Sequence, residues 1–209
     1  MRKLFTERDI LEIVKSGKTE IEILNCTIIT PSALDLIQKH KLKINAKDTL
    51  SEKIENKIGS RIKKIAIGSD HTGFSVKEEI KRFLLEKGFH VEDVGTHSEE
   101  SCDYPDYAYA VSLAVKNSIV DRGVILDATG IPSSICANKV DGIRAAVGYN
   151  EYAVKSSREH NNSNVITFAA RVNNTDFIKS LLMLWLQTDF EGGRHQKRLD
   201  KITDIERKN

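Results

Sequence analysis

The chain has 209 residues, and its 32 Lys and Arg against 30 Asp and Glu leave a formal charge of +2, with 40% hydrophobic and 30% charged residues. That length fits one ordinary globular domain with something small attached, and the near-zero charge argues against a generally basic nucleic-acid surface. With 12 Gly and 3 Pro there is no collagenous or low-complexity architecture, no run approaches the ~20 apolar residues of a membrane span, and MRKLFTERDI turns charged before a signal-peptide core forms, so a cytoplasmic location is expected.

The first 45 residues read as a small α+β extension. Thr6 is placed to cap a helix through Lys15, in which Ile10, Ile13 and Val14 share a face before Gly17 ends it. An extended stretch is expected from Ile21 to Ile29. Thr30-Pro31-Ser32 then puts a capping hydroxyl before a proline in the first turn, predicting a helix to about His40. Residues 46–61 are polar, charged and poor in large apolar side chains, and read as a linker. Residues 62–209 form the main domain.

From Lys63 the texture changes to short β-branched runs: KKIAIGS, FHVEDVG, RGVILDAT, IRAAVGY and NVITFAA. Helices are predicted between and after them at Val76–Glu86, Asp106–Lys116, Ser133–Asn138, Glu151–Glu159, Asp176–Thr188 and His195–Arg207. Strands alternating with helices imply an α/β, Rossmann-like fold: a three-layer sandwich with a five-stranded parallel sheet covered on both faces. In such sheets ligands bind beyond the carboxyl ends of the strands, so the residues after each run are the first candidates.

After the first run comes Gly68-Ser69-Asp70-His71-Thr72-Gly73, where an acid and an imidazole stand side by side. They can bind a hydroxylated or phosphorylated ligand, or Asp70 can simply cap the next helix. After the third run, Asp127-Ala128-Thr129-Gly130-Ile131-Pro132-Ser133-Ser134 is a small-residue turn entering a helix, readable as an anion nest or as an ordinary tight turn. His160 and Asn161 precede the fifth run and Arg171 follows it. Near the C-terminus, Gly192-Gly193 open a helix and Arg194 and Arg198 fall at i and i+4, a spacing that suits a phosphate at a positive helix end or a solvated basic face. Tyr104 beside Pro105 lines the same cleft or packs. Cys26, Cys102 and Cys136 are odd in number and lack C-x-x-C spacing, so they read as reduced thiols without a disulfide or zinc role, Cys102 and Cys136 being inert.

GSDHTGFSVKEEI, SCDYPDYA, the TG turn, ANKVDGIRAA, REHNNSNV, ARV and FEGGRHQKR, in this order, resemble the family of ribose-5-phosphate isomerase B and the galactose-6-phosphate isomerase subunits, over about Lys63 to Arg207. The resemblance implies an aldose–ketose isomerase of phosphorylated sugars, a pentose 5-phosphate preferred and a hexose 6-phosphate second. It also implies no metal or organic cofactor, and a homodimer or homotetramer whose active site lies at a subunit interface. On this resemblance Asp70, His71 and Tyr104 bind substrate, and Thr129, Gly130 and Ser134 belong to the turn that holds the enediolate oxygens. His160 matches the ring-opening histidine contributed across the interface, with Asn161 beside it, and His71, Arg171, Arg194 and Arg198 surround the phosphate.

The chain departs from the family at Asp127, where ribose isomerases usually present the cysteine that moves the proton between C1 and C2, and at Pro132, which replaces a glycine of the turn. ILDATG is similar to the A subunit of galactose-6-phosphate isomerase, which works beside a cysteine-bearing partner subunit. Asp127 is therefore expected to carry the proton itself, as a buried carboxylate can, or the chain supplies half a site to a related isomerase subunit, or it is a non-catalytic assembly protein. RKLFTERDILEIVKSG followed by ILNCTIITPSALDLIQKHKLKI is similar to a leader on enzymes of bacterial microcompartments, such as those of ethanolamine use. That resemblance implies a shell or another partner for residues 1–60, the alternative being an accessory domain that stabilises the oligomer.

Overall fold

The computed structural model describes residues 4–5, 7–24, 28–29, 31–47 and 62–208, which fall into two units, Met1–Lys57 and Ile58–Asn209. The expected caps Thr6 and Thr30, Cys26 and most of the expected linker lie outside the described residues.

In the first unit, helices α1 (Glu7–Lys15) and α2 (Pro31–Lys39) accompany two short parallel pairs. One is β1 (Leu4–Phe5) with β3 (Ile28–Ile29), the other β2 (Glu20–Leu24) with β4 (Lys43–Lys47). Ile10, Ile21, Ala33 and Ile37 are buried together, with Ile13, Val14, Leu36 and Leu42 packed against them. The stretch expected to be continuous from Ile21 to Ile29 is thus split between two pairs. β4 also carries this unit past the boundary expected at residue 45, because strand pairing is made by the backbone and does not require large apolar side chains.

The second unit holds β5 (Lys64–Ser69), α3 (Phe74–Glu86), β6 (His90–Asp93), α4 (Tyr104–Lys116), β7 (Arg122–Asp127), α5 (Ile131–Ala137), β8 (Ala145–Val147), α6 (Glu151–Glu159), β9 (Val165–Ala169), α7 (Thr175–Gln187) and α8 (Gln196–Glu206). The strands form one parallel sheet in the order β6-β5-β7-β9-β8. Alternation along the central strands divides the core into two layers. Ile65, Ile67, Val124, Leu126, Ile166 and Phe168 point to one face, where they meet Ile80 and Leu84 of α3 and Ile178, Leu181, Leu182 and Trp185 of α7. Ala66, Ile125 and Val165 point to the other, against Val111 of α4 and Ala137 of α5. Each large side chain buried this way contributes about 1.5–3 kcal/mol before entropy is counted.

Helices α3, α4 and α5 each begin two residues earlier than the sequence predicts, at Phe74, Tyr104 and Ile131. Pro105 and Pro132 fall inside first turns, where a missing N–H costs nothing. In the first turn of α3, the fully buried Lys77 ammonium meets Asp93 at 2.7 and 2.8 Å and Glu78 at 2.7 Å. Lys81 joins the same Asp93 at 2.6 Å.

Candidate active site

From β5 the chain passes to β6 on one side and later to β7 on the other, so the crevice at the carboxyl ends of β5 and β7 is the switch point of the sheet. Asp70 is buried there. Its Oδ1 accepts the Thr72 amide at 2.9 Å, the Thr72 hydroxyl at 2.6 Å and the Gly73 amide at 3.2 Å. Gly73 makes this turn fit, since a Cβ there would stand 2.6 Å from the Leu126 carbonyl oxygen. His71 turns its Nδ1 to the loop before α4, 3.1 Å from the Cys102 carbonyl oxygen and 3.2 Å from the Cys102 amide, with Sγ at 4.0 Å. Cys102 is half-buried beside an imidazole, a contact that spans 31 residues and left no local signal. Tyr104 opens α4 two residues further on.

Asp127 ends β7 with its carboxylate almost wholly enclosed, 1% exposed. Oδ1 accepts the amides of Thr129 at 2.8 Å and Gly130 at 2.6 Å, and Oδ2 accepts that of Ser133 at 3.1 Å. The turn does form an anion nest, and the anion in it is the chain's own carboxylate. Gly130 is left-handed at φ 75° and its carbonyl is held by the Thr167 hydroxyl at 2.7 Å. Thr129 is exposed and Ser134 buried. The buried hydroxyls of Ser69 and Ser133 have no hydrogen-bond partner among the described residues. Arg171 follows β9 at the same edge, exposed, with its amide donating to the Ala128 carbonyl at 3.2 Å.

The remaining candidates gather elsewhere. His160 closes α6 and Asn161 follows it, ahead of β9, so both stand at the amino edge of the sheet. The Glu191 amide donates to the Glu159 carbonyl at 3.0 Å, which brings the Gly192-Gly193 turn to the same place. The rings of His160 and His195 stack there, centroids 4.3 Å apart and 8° from parallel. Arg194 donates from Nε to His195 Nε2 at 3.3 Å, and Glu191 Oε2 lies 3.5 Å from that nitrogen. Burial, His160 and Arg194 push His195 below the ordinary imidazole range. Helix α8 begins at Gln196, so Arg198 is in its first turn while Arg194 precedes it, rather than both lying on one helical face. The scaffold under this loop is Arg158, which donates to the carbonyls of Thr188 and Ser163 and to Asn162 Oδ1. Burial and the neighbouring Arg122 and Arg144 push its guanidinium down to about 10.

Ligand atoms of His160, Glu191 and His195 lie within 4.8 Å of one another, the group of residues closest to a metal-binding set among those described. Metals sit in the plane of an imidazole at about 2.0–2.1 Å. Two face-to-face rings, one already accepting from Arg194, suit stacking better than coordination. A cavity of about 540 Å³ also opens at this edge, lined by Ile143, Arg144, Leu199, Ile202 and Glu206 among others, and includes neither Asp70 nor Asp127.

One chain therefore carries two clusters: Asp70, His71, Tyr104, Asp127, Thr129, Gly130, Ser134 and Arg171 at the carboxyl edge, and His160, Asn161, Arg194 and Arg198 at the amino edge. The five residues of β9 separate the edges by about 16 Å, so a single phosphate cannot meet His71 and Arg171 together with Arg194 and Arg198 of the same chain.

Residues 65–202 match the family model described as Ribose/Galactose Isomerase. The chain is 47% identical over 147 residues to ribose-5-phosphate isomerase B of Escherichia coli K12, covering 70% of this chain and 99% of that protein. It is 39% identical over 139 residues to the D-erythrulose-4-phosphate isomerase of Pectobacterium atrosepticum, covering 66% and 91%. Among solved structures, it is similar to ribose-5-phosphate isomerase B of Clostridium thermocellum, with 48% identity, a TM-score of 0.69 and coverage of 69% of this chain and 98% of that one. A Mycoplasma genitalium ribose-5-phosphate isomerase B with bound ribulose 5-phosphate gives 38% identity and a TM-score of 0.67, covering 70% and 97%.

Proposed function

The chain belongs to the ribose/galactose isomerase family, and from that premise we propose that it interconverts ribose 5-phosphate and ribulose 5-phosphate by proton transfer through a cis-enediolate. The observation that carries this reading is the overlap with nearly the whole of ribose-5-phosphate isomerase B at 47% identity. The two separated clusters support a composite site in a homodimer or homotetramer, in which the carboxyl edge of one copy meets the amino edge of another. His160 of the second copy opens the sugar ring, with Asn161 beside it. Asp127 takes the proton from C2 and returns it to C1 through Oδ2, which accepts a single amide from Ser133. Thr129, Gly130 and Ser134 hold the enediolate oxygens, Asp70 and Tyr104 hold sugar hydroxyls, and His71 and Arg171 bind the phosphate with Arg194 and Arg198 of the second copy.

One observation favours a second reading. Three amides of the nest already hold the Asp127 carboxylate, which suits a subunit that completes its chemistry with a cysteine-bearing relative. A coupled assay of the purified chain alone on ribose 5-phosphate, allose 6-phosphate and galactose 6-phosphate separates the two. Turnover of ribose 5-phosphate supports the first; turnover only after a cysteine-bearing relative is added supports the second.

Residues 1–57, a unit with its own small core, serve on this reading as a docking element that delivers a cytoplasmic enzyme to a microcompartment shell. A chain starting at Arg61 is expected to stay soluble and oligomeric and to lose co-sedimentation with shells. Aggregation of that chain would assign the segment to stability instead.

A further inference from the structure

Ring opening is the step that most depends on where one proton sits. The furanose C1–O4 bond breaks as a proton reaches O4, and the C1 hydroxyl gives up its own proton as the carbonyl forms. An imidazole can serve only if its reactive nitrogen is in the right protonation state and its plane is fixed. His160 has both requirements met by neighbours that the sequence did not reveal. One turn earlier on α6, Ser156 places its Oγ 3.1 Å from His160 Nδ1. The carbonyl of the same residue accepts the His160 amide at 3.0 Å and Asn161 Nδ2 at 3.4 Å. Ser156 thus anchors both amino-edge residues that the proposed function assigns to the sugar. On the other side the His195 ring, stacked at 4.3 Å, fixes the plane. The charged and titratable groups around that stack are Glu191, Arg194 and Arg198, and they leave His195 a weak base.

We infer that Ser156 is a positioning residue for His160: its hydroxyl donates to Nδ1, which keeps the ring proton on Nε2 and presents that N–H to the sugar ring oxygen, and the proton released by the C1 hydroxyl on the same carbon passes to Nε2 in its place, so the imidazole ends neutral as it began. The inference rests on the reading of His160 as the ring-opening group. It differs from a structural role in a way that substrate chemistry exposes. Ribose 5-phosphate must be opened before its C2 proton can leave. Ribulose 5-phosphate has its C5 oxygen esterified and cannot close a furanose ring, so abstraction of its C1 proton needs no ring opening.

The test compares Ser156→Ala and Ser156→Thr with the parent full-length chain. Ser156→Ala is expected to lower kcat on ribose 5-phosphate about tenfold, the order of one lost hydrogen bond to a reacting group, with KM unchanged. Exchange of solvent deuterium into C1 of ribulose 5-phosphate should stay near the parent rate, and Ser156→Thr should restore turnover. Imidazole ¹⁵N shifts of His160 should report the Nε2–H tautomer in the parent and in Ser156→Thr, and a mixture in Ser156→Ala. Equal loss of turnover and exchange in Ser156→Ala, or no loss of either, would overturn the inference. If the parent neither turns over nor exchanges, the isomerase reading fails as well. The ¹⁵N shifts then still decide whether Ser156 sets the tautomer, an unchanged tautomer in Ser156→Ala refuting it.

Discussion

If the catalytic site is composite, two chains that are each inactive should repair one another. Asp127→Asn removes the proton acceptor at the carboxyl edge while keeping the size and one oxygen acceptor of the side chain. His160→Ala removes the imidazole at the amino edge. The two positions are separated by the length of β9, about 16 Å along the strand, more than their side chains can span, so they serve different sites of an oligomer. In a homodimer of either variant, both sites carry a defect. In a hybrid, one site collects both defects and the other is intact. Random pairing of equal amounts makes about half the dimers hybrids, so about a quarter of parental sites return. Each variant alone should lose on the order of 10²–10⁴ in rate, which makes a return to a quarter unmistakable. The assay is turnover of ribose 5-phosphate by the two variants after subunit exchange, with hybrid formation followed by mass spectrometry of differently tagged chains. Activity of verified hybrids no higher than the mean of the two parents would refute the composite site.

Asp127→Asn alone should preserve ribose 5-phosphate affinity and abolish deuterium exchange at C2, whereas Asp127→Cys should retain part of the activity; exchange at the parental rate in the Asn variant would remove Asp127 as the base. Arg198→Ala should weaken sugar-phosphate binding at least tenfold by calorimetry without lowering the melting temperature, because one charge-assisted bond to phosphate contributes about 1.5–3 kcal/mol. Burial alone would raise the Asp93 carboxyl, yet the ammonium groups of Lys77 and Lys81 and the Gly95 amide hold it below the ordinary range. Its contribution is therefore complete above about pH 4, the unfolded value, and drains as the pH falls through the lower folded one. Urea unfolding of Asp93→Asn should accordingly show lower stability at neutral pH and a flatter acid limb than the parent.

The β-branched runs made the sheet legible because parallel strands covered on both faces are apolar through their centres, as KIAIGS, RGVILD and VITFA are, with polar residues mostly at their ends. Helix starts were displaced because a proline in the first turn is compatible with a helix beginning at the residue before it, as at Tyr104 and Ile131. The candidate site residues come from the family resemblance, which gives identities along the chain but no distances between them. That His160 and Asp127 sit at opposite edges follows only from the parallel register of β7 and β9. Ser156 was silent because a serine one turn before a histidine is ordinary in a helix, and its meaning lies in which nitrogen its hydroxyl meets. His195 stands in the sequence only as the first residue of a predicted helix, although its ring lies against His160. The Cys102 contact to His71 joins two loops that only the sheet brings together.

In the proposed reaction the aspartate at position 127 alters the chemistry of the turn as well as the identity of the base. A thiolate accepts amide hydrogen bonds weakly and leaves a nest open for substrate oxygens, whereas a carboxylate is itself the anion that such amides favour. In the proposed reaction, the negative charge on Asp127 before proton abstraction is on the enediolate afterwards. The amides of Thr129, Gly130 and Ser133 hold the first of these anions, and in the proposed reaction the same turn receives the second. The total charge within the nest is thus conserved through the step, and the amides need only shift from one oxygen set to another as the proton crosses. Pro132 removes a donor from this turn, and the hydroxyls of Thr129, which is exposed, and of Ser133, which is buried without a hydrogen-bond partner among the described residues, are the other donors the turn offers. In the proposed reaction the pairing of Asp127 with Pro132 therefore sets the pace of this turn: a nest with a resident anion admits an enediolate only as fast as that anion is neutralised by the very proton it removes.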